Sequence, residues 1–247
     1  MEYAALFDIV NPGLAALGAP IALGGTSNHF RTRVLRRVGG WDAWNVTEDA
    51  DLGLRLARFG VRVGALDSDT YEEAPANFRN WFSQRRRWLK GWMQTLAVHT
   101  RDPRRLLREL GAARALAALA LMLGGALGGL LGPALAGYTL WRVFAGDLFS
   151  ARTTLQAVGD ALALVLMFAG FQAVVIPIVL ALHGRGLQRL YRSLPQLPLY
   201  YCLVSIAAWA ALIDLALRPF HWSKTEHGLA RTSARASSHR RDWHILY

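Results

Sequence analysis

Three stretches of this chain are too apolar to be left in water, and they restrict its fold more than any other feature. Residues 115–141 carry no charged side chain, while 160–182 and 197–217 carry one each, Asp160 and Asp214. A bilayer core of about 30 Å needs roughly 20 helical residues, and backbone groups within it must be satisfied inside the helix. The pattern predicts a transmembrane α-helical region over 101–220, with three to four segments at about 113–146, 155–182 and 197–217. Pro133 and the glycines at 124, 125, 128 and 129 leave the first segment as one kinked helix or two helices. The small residues suit helix packing in lipid, where no hydrophobic drive operates between helices.

Charge is as unevenly spread as hydrophobicity. The chain is 53% hydrophobic yet has a formal net charge of +11, and its Arg and Lys residues cluster in 31–114, 185–192 and 218–241. Arginines and aromatics flanking apolar spans favour a lipid membrane surface and an anionic, phosphate-bearing partner over nucleic acid, and no recognised nucleic-acid motif is present. Cys202, the lone cysteine, excludes an internal disulfide and agrees with a cytoplasmic face. The positive-inside rule puts 101–114, 185–192 and the polar basic tail, 221–247, on the cytoplasmic side of an inner (plasma) membrane. Three simple crossings cannot place all three there. Either the first segment crosses twice and the middle loop breaks the rule, or one segment is re-entrant. Residues 4–23 are apolar, but Asp8, Asn11, Pro12 and Pro20 interrupt them, which suits a short amphipathic or buried helix better than a span.

Residues 1–100 read as part of an α/β unit. Gly24-Gly25-Thr26-Ser27-Asn28 forms a loop and Gly39-Gly40 a turn. Thr47 is placed to cap a helix whose first turn holds Glu48, Asp49 and Asp51. Leu52, Leu56 and Phe59 continue it, and Gly60 closes it. Val61 and Val63 alternate with Arg62 and Gly64 as a short strand. A further helix spans about Asn77 to Ala97.

Two motifs carry chemistry. In Thr47-Glu48-Asp49, one carboxylate facing a cleft can serve as a general base toward a hydroxyl; acids in a first helical turn are also common for dipole reasons alone. In Gln84-Arg85-Arg86-Arg87-Trp88, helical spacing sets Gln84, Arg87 and Trp88 on one face. Arg87 offers a bidentate fork for phosphate oxygens, and Trp88 a broad apolar face of the kind that packs on a pyranose ring. An interfacial helix with snorkelling arginines has the same composition. The acidic motif about 35 residues earlier, and Lys90-Gly91-Trp92 directly after, weigh toward the site.

These motifs, together with Gly39-Gly40-Trp41-Asp42, Tyr71-Glu72-Glu73-Ala74-Pro75 and the ending Arg218-Pro219-Phe220-His221-Trp222-Ser223-Lys224-Thr225-Glu226-His227-Gly228, resemble the C-terminal part of a processive, membrane-embedded family-2 glycosyltransferase of the bacterial cellulose-synthase-like type. The resemblance covers nearly the whole chain. It implies the C-terminal part of a GT-A-like α/β domain followed by the transmembrane region, and an inverting transfer from a nucleotide sugar, such as a UDP-sugar, to a growing β-linked polysaccharide. It implies Asp49 as catalytic base with Glu48 the next candidate, Gln84 and Arg87 on the donor diphosphate, and Trp88 against the acceptor sugar. Thr26, Ser27 and Asn28 belong to the acceptor side. A divalent metal, Mg or Mn, is implied for the complete enzyme, but the nucleotide-binding half with its D-x-D ligands has no counterpart before Gly24. Asp67-Ser68-Asp69 has that spelling but follows the base motif, and reads as a loop. The chain alone is therefore expected to be inactive. The alternative is a non-catalytic membrane remnant or subunit that needs a separate donor-binding chain.

Overall fold

The computed structural model describes residues 1–221 except 71, 76, 149 and 152. Tyr71 and the ending from Trp222 onward, including the Lys224–Gly228 motif, lie outside the described residues.

The chain opens on a helical stretch, α1, made of Glu2–Ala4, a π-helical Ala5–Val10 and Asn11–Ala16. It is buried through Ala5 against Ile178, Leu182 and Leu197. A short amphipathic or buried helix was expected over 4–23; the helical stretch is short and only Ala5 and Asn11 in it are buried. Asn11 is accommodated because its Nδ2 donates to Ala22 O at 3.2 Å. A short α2, Thr32–Arg37, was not evident in the sequence. The Gly39-Gly40 turn comes next, with φ of 83° and 70°.

α3 is Glu48–Arg58. Its end is a Schellman motif: Gly60 N–H donates to Ala57 O and Val61 N–H to Leu56 O, both at 3.0 Å, with Gly60 at φ 72°. α4, Phe78–His99, is capped by Asn77, whose side chain accepts from Asn80 N. α5, Pro103–Leu110, is a separate helix capped by Asp102.

The strand expected at 61–63 does not form, and no strand occurs among the described residues. A strand exists by pairing, and residues 61–63 make no ladder with any described segment. The α/β character expected of residues 1–100 is therefore not seen here.

Three helical stretches among the described residues are long and apolar enough to cross a membrane: Ala112–Phe144, Thr154–Gly184 and Gln188–Leu217. The first is one continuous helix, α6, with Pro133 inside it. The second is α7, Thr154–Gly184. The third is a 3-10 turn, Gln188–Gln196, leading into α8, Leu197–Leu217. Packing runs across the sequence boundary between the polar and apolar parts. Leu54, Leu106, Leu110, Ala115, Ala118 and Met122 form one core that ties α3 and α5 to the start of α6. α8 lies along α4: Tyr200 packs on Trp81 with ring centroids 5.6 Å apart, and Asp214 meets Lys90 at 3.0 Å.

Candidate functional site

The acidic motif is held in place by α4. Gln94 Oε1 accepts from Val46 N at 3.1 Å, and its Nε2 donates to Pro219 O at 2.8 Å. Asn45 donates to Thr95 Oγ1 at 2.8 Å and accepts from Thr47 N at 2.9 Å. Thr47 occupies the N-cap position, but its side chain does not cap the helix. Its hydroxyl turns to Asn45 Oδ1 and packs on Gly91, where a Cβ would stand 2.1 Å from Thr47 Oγ1. Glycine at 91 is thus what lets the loop before Glu48 reach the helix.

Asp49 and Arg87 face each other across this junction. Asp49 is half-buried; its Oδ1 accepts from Ala50 N at 2.8 Å. Its Oδ2 lies toward the glycine-rich loop, 3.4 Å from where a Cβ on Gly25 would stand. Burial pushes the Asp49 carboxyl above the usual range, and Glu48 adds to this, against the Ala50 N–H and the charge of Arg87. Burial lowers the Arg87 guanidinium, against the pull of Asp49, Glu48 and Tyr3. The two groups feel each other's charge but do not form an ion pair. Arg87 Nη1 instead donates to Val46 O at 3.1 Å. Among the described residues, its buried Nε has no hydrogen-bond partner, and neither does the buried Gln84 Oε1. Arg87 therefore keeps, among the described residues, a buried donor without a partner near a carboxylate that it does not bond.

The fold divides the face expected to hold Gln84, Arg87 and Trp88. Arg87 turns toward Val46 and the acids, whereas Trp88 turns toward α1. Tyr3 is 5.9 Å from the Trp88 ring, and the Arg85 guanidinium sits 4.9 Å from its centroid. Arg85 is paired in turn with Glu2. The Thr26–Asn28 loop is tied to the segment ahead of α4: Thr26 donates to Glu72, and Ser27 Oγ lies 2.7 Å from Thr70 Oγ1. Asn28 bonds back to Gly24 O.

Several residues that the sequence left without a role prove to be supports. Asp51 meets His99 Nε2 at 2.8 Å and pairs with Arg55. Because Arg58 Nη1 can only donate to His99 Nδ1, Nε2 carries the hydrogen given to Asp51. Lys90, 1% exposed, uses all three ammonium hydrogens, on Asp214, Arg218 O and His221 O. Glu2 and Tyr3 complete a wall beside Trp88. No sequence signal connects them to a motif more than 80 residues away.

The described residues do not fit a divalent metal. No group of three or more His, Cys, Asp or Glu side chains is gathered. Asp69 is bound by Arg185, which also holds Asp8. A cavity of about 180 Å³, lined by Ile21, Gly53, Val61 and Arg114, touches none of the candidate site residues.

Residues 13–213 match the family profile described as "Glycosyl transferase family group 2". The chain is 31% identical over 68 residues to "Probable glycosyltransferase YdaM" of Bacillus subtilis (strain 168), an alignment covering 27% of this chain and 16% of the relative. It is 36% identical over 72 residues to a "Probable glycosyltransferase" of Sulfolobus acidocaldarius, covering 29% of this chain and 16% of the relative. The aligned part is therefore well under a fifth of either relative's length. No solved structure matches the chain.

Proposed function

Matched over 13–213, the chain belongs to glycosyl transferase family group 2, and from that premise we propose that it forms the acceptor and diphosphate side of an inverting, processive, cellulose-synthase-like enzyme. In this reading residues 1–100 belong to the catalytic domain and 101–220 to the membrane region, with the catalytic part on the cytoplasmic face of the inner membrane. The donor is a nucleotide sugar of the UDP type, and the acceptor a growing β-linked polysaccharide. A separate segment supplies the nucleotide pocket and any metal ligands, so the chain alone is inactive.

The observation that supports this most directly is the half-buried Asp49 carboxylate, set opposite Arg87 but not bonded to it. Asp49 accepts the proton of an acceptor hydroxyl. That oxygen attacks the anomeric carbon, and the bond to the diphosphate breaks, with its electron pair leaving on the phosphate oxygen. The anomeric centre inverts, and no covalent enzyme intermediate is required. Arg87 meets the leaving charge with a planar fork, and Gln84 adds a polar contact. Trp88 offers a ring face to the acceptor, and Thr26, Ser27 and Asn28 contact it from the loop. Glu48 is the next candidate for the base.

The test is transfer by Asp49→Asn in membranes that also contain the donor-binding half. The amide keeps the size and loses the proton acceptor, so the rate should fall by ~10²–10⁴ while nucleotide-sugar binding stays within a few-fold. Near-normal turnover would move the role to Glu48. Binding of donor with no transfer by any combination of segments would favour the non-catalytic subunit.

A further inference from the structure

α1 does more than support Trp88: we infer that its Tyr3 and Phe7 hold the acceptor, a neutral β-linked pyranose, between Trp88 and the loop of residues 24–28. This rests on the acceptor role proposed for Trp88 and adds the residues that grip the sugar beside it.

Tyr3 and Phe7 are the two aromatic residues of α1, and they meet edge to face with ring centroids 6.4 Å apart. Each also touches one of the two elements assigned to the acceptor. The Tyr3 ring lies 5.9 Å from that of Trp88. Phe7 closes on Gly24, where a Cβ would stand 2.9 Å from the ring Cζ, so glycine at 24 is what allows the contact. The pair thus bridges Trp88 to the loop that carries Thr26, Ser27 and Asn28. The backbone beneath it is unusual in the same place. Ala5–Val10 is π-helical, a form that is rare in proteins and frequent at functional sites.

Packing leaves part of this surface unused. Phe7 is 45% exposed. Tyr3 is half-buried, yet its hydroxyl makes no hydrogen bond among the described residues, whereas that of Tyr200 donates to Glu2 at 2.6 Å. A tyrosine hydroxyl away from bulk water usually finds a partner. Burial raises the Tyr3 phenol above its ordinary range, so it stays protonated at neutral pH and can donate. Ring faces beside an unused donor match a pyranose, which offers apolar C–H groups and hydroxyl oxygens together.

The surrounding charges select the kind of sugar. Arg85, Glu72, Glu2 and Arg87 all act on the Tyr3 hydroxyl. Arg85 is paired with Glu2, and Arg87 is turned to Val46 O at 3.1 Å. Glu72 accepts from the Thr26 hydroxyl, and among the described residues no cation pairs with it. A carboxylated sugar placed here meets an unneutralised carboxylate, and like charges set together exclude a partner. A neutral sugar meets hydrogen-bonding groups for its hydroxyls.

The experiment is binding of soluble β-linked hexasaccharides to the full chain in detergent. The probes are those of glucose, mannose, N-acetylglucosamine and glucuronic acid. A neutral probe should bind at least about tenfold more tightly than the glucuronic acid probe; equal binding would overturn the neutral assignment. Tyr3→Phe keeps the ring and loses the hydroxyl, and should weaken the best neutral probe about two- to tenfold, the worth of one hydrogen bond. Phe7→Leu, and Gly24→Ala, whose Cβ displaces the Phe7 ring, should weaken it as well. Where Phe7→Leu or Gly24→Ala lowers thermal stability, Tyr3→Phe decides. If Trp88→Ala weakens binding but Tyr3→Phe and Phe7→Leu do not, the inference falls and the acceptor reading stands. If no neutral probe binds, or Trp88→Ala changes nothing, the acceptor reading falls and this inference with it.

Discussion

At the scale of single residues, the base role proposed for Asp49 predicts a pH behaviour. Its carboxyl is raised mainly by burial, so the basic form is lost as pH falls through a value above that of an ordinary carboxylate. The acid limb of the pH–rate profile should lie correspondingly high. Arg87→Gln removes a charge that holds the carboxyl down, and should move that limb higher still. Arg87→Lys should weaken nucleoside-diphosphate binding, because a point charge replaces a fork; Trp88→Ala should spare it and impair acceptor use. Equal losses of both functions from either change would mark the helix as structural. Asp51 behaves oppositely. Burial raises its carboxyl, but the hydrogen bonds from His99 and Arg55 outweigh this and lower it overall. Its stabilising contribution is therefore present above the unfolded pKa of ~3.9 and lost as pH falls through the folded value. Asp51→Asn should cost about 2–3 kcal/mol at neutral pH in denaturant unfolding. Residue types and spacing made Asp49 and Arg87 legible as candidates. Asp51 stands two positions from Asp49 in the same motif, and the sequence could not tell that it serves as a strut.

At the scale of elements, helix ends were readable and pairings were not. Gly60 and Asn77 act locally, and each does what its position implies. The strand at 61–63 failed because a strand needs a neighbour, which a local pattern cannot supply. Thr47 reads as a cap, yet its hydroxyl is drawn to Asn45 and Gly91 by the packing of α4 on the loop. Gly91 is the clearest consequence. Gly91→Ala forces a Cβ against Thr47, and overpacking of this kind costs about 1–3 kcal/mol. Thermal unfolding of the purified chain in detergent should show the loss, and Thr47→Gly in the same chain should recover most of it. Absence of recovery would show that the close approach is not the cause.

At the scale of the whole molecule, the buried Lys90–Asp214 pair joins the helix of the site to the last apolar helix. Lys90→Met leaves a buried carboxylate and two carbonyls without donors, a change worth about 3–5 kcal/mol. It should speed proteolysis after α8. Lys90→Met with Asp214→Leu should recover part of that resistance, and equal sensitivity of single and double variants would show the pair to be unimportant. By itself the sequence determined the features that short-range chemistry controls. Three apolar runs are long enough to form helices that could cross a membrane, Gly60 marks where a polar helix ends, and an acid–amide–guanidinium–indole set with this spacing resembles one enzyme family. Tertiary structure decided how the sides of α4 are used: Arg87 toward Asp49, Trp88 toward Tyr3 and Arg85, and Lys90 and Gln94 toward the end of α8. It also decided that an apolar segment long enough to cross is fastened at both ends to a cationic helix. Hydropathy is summed residue by residue, so it reports what a helix could tolerate. Where the helix lies depends on partners more than 100 residues away, and no local sum contains them.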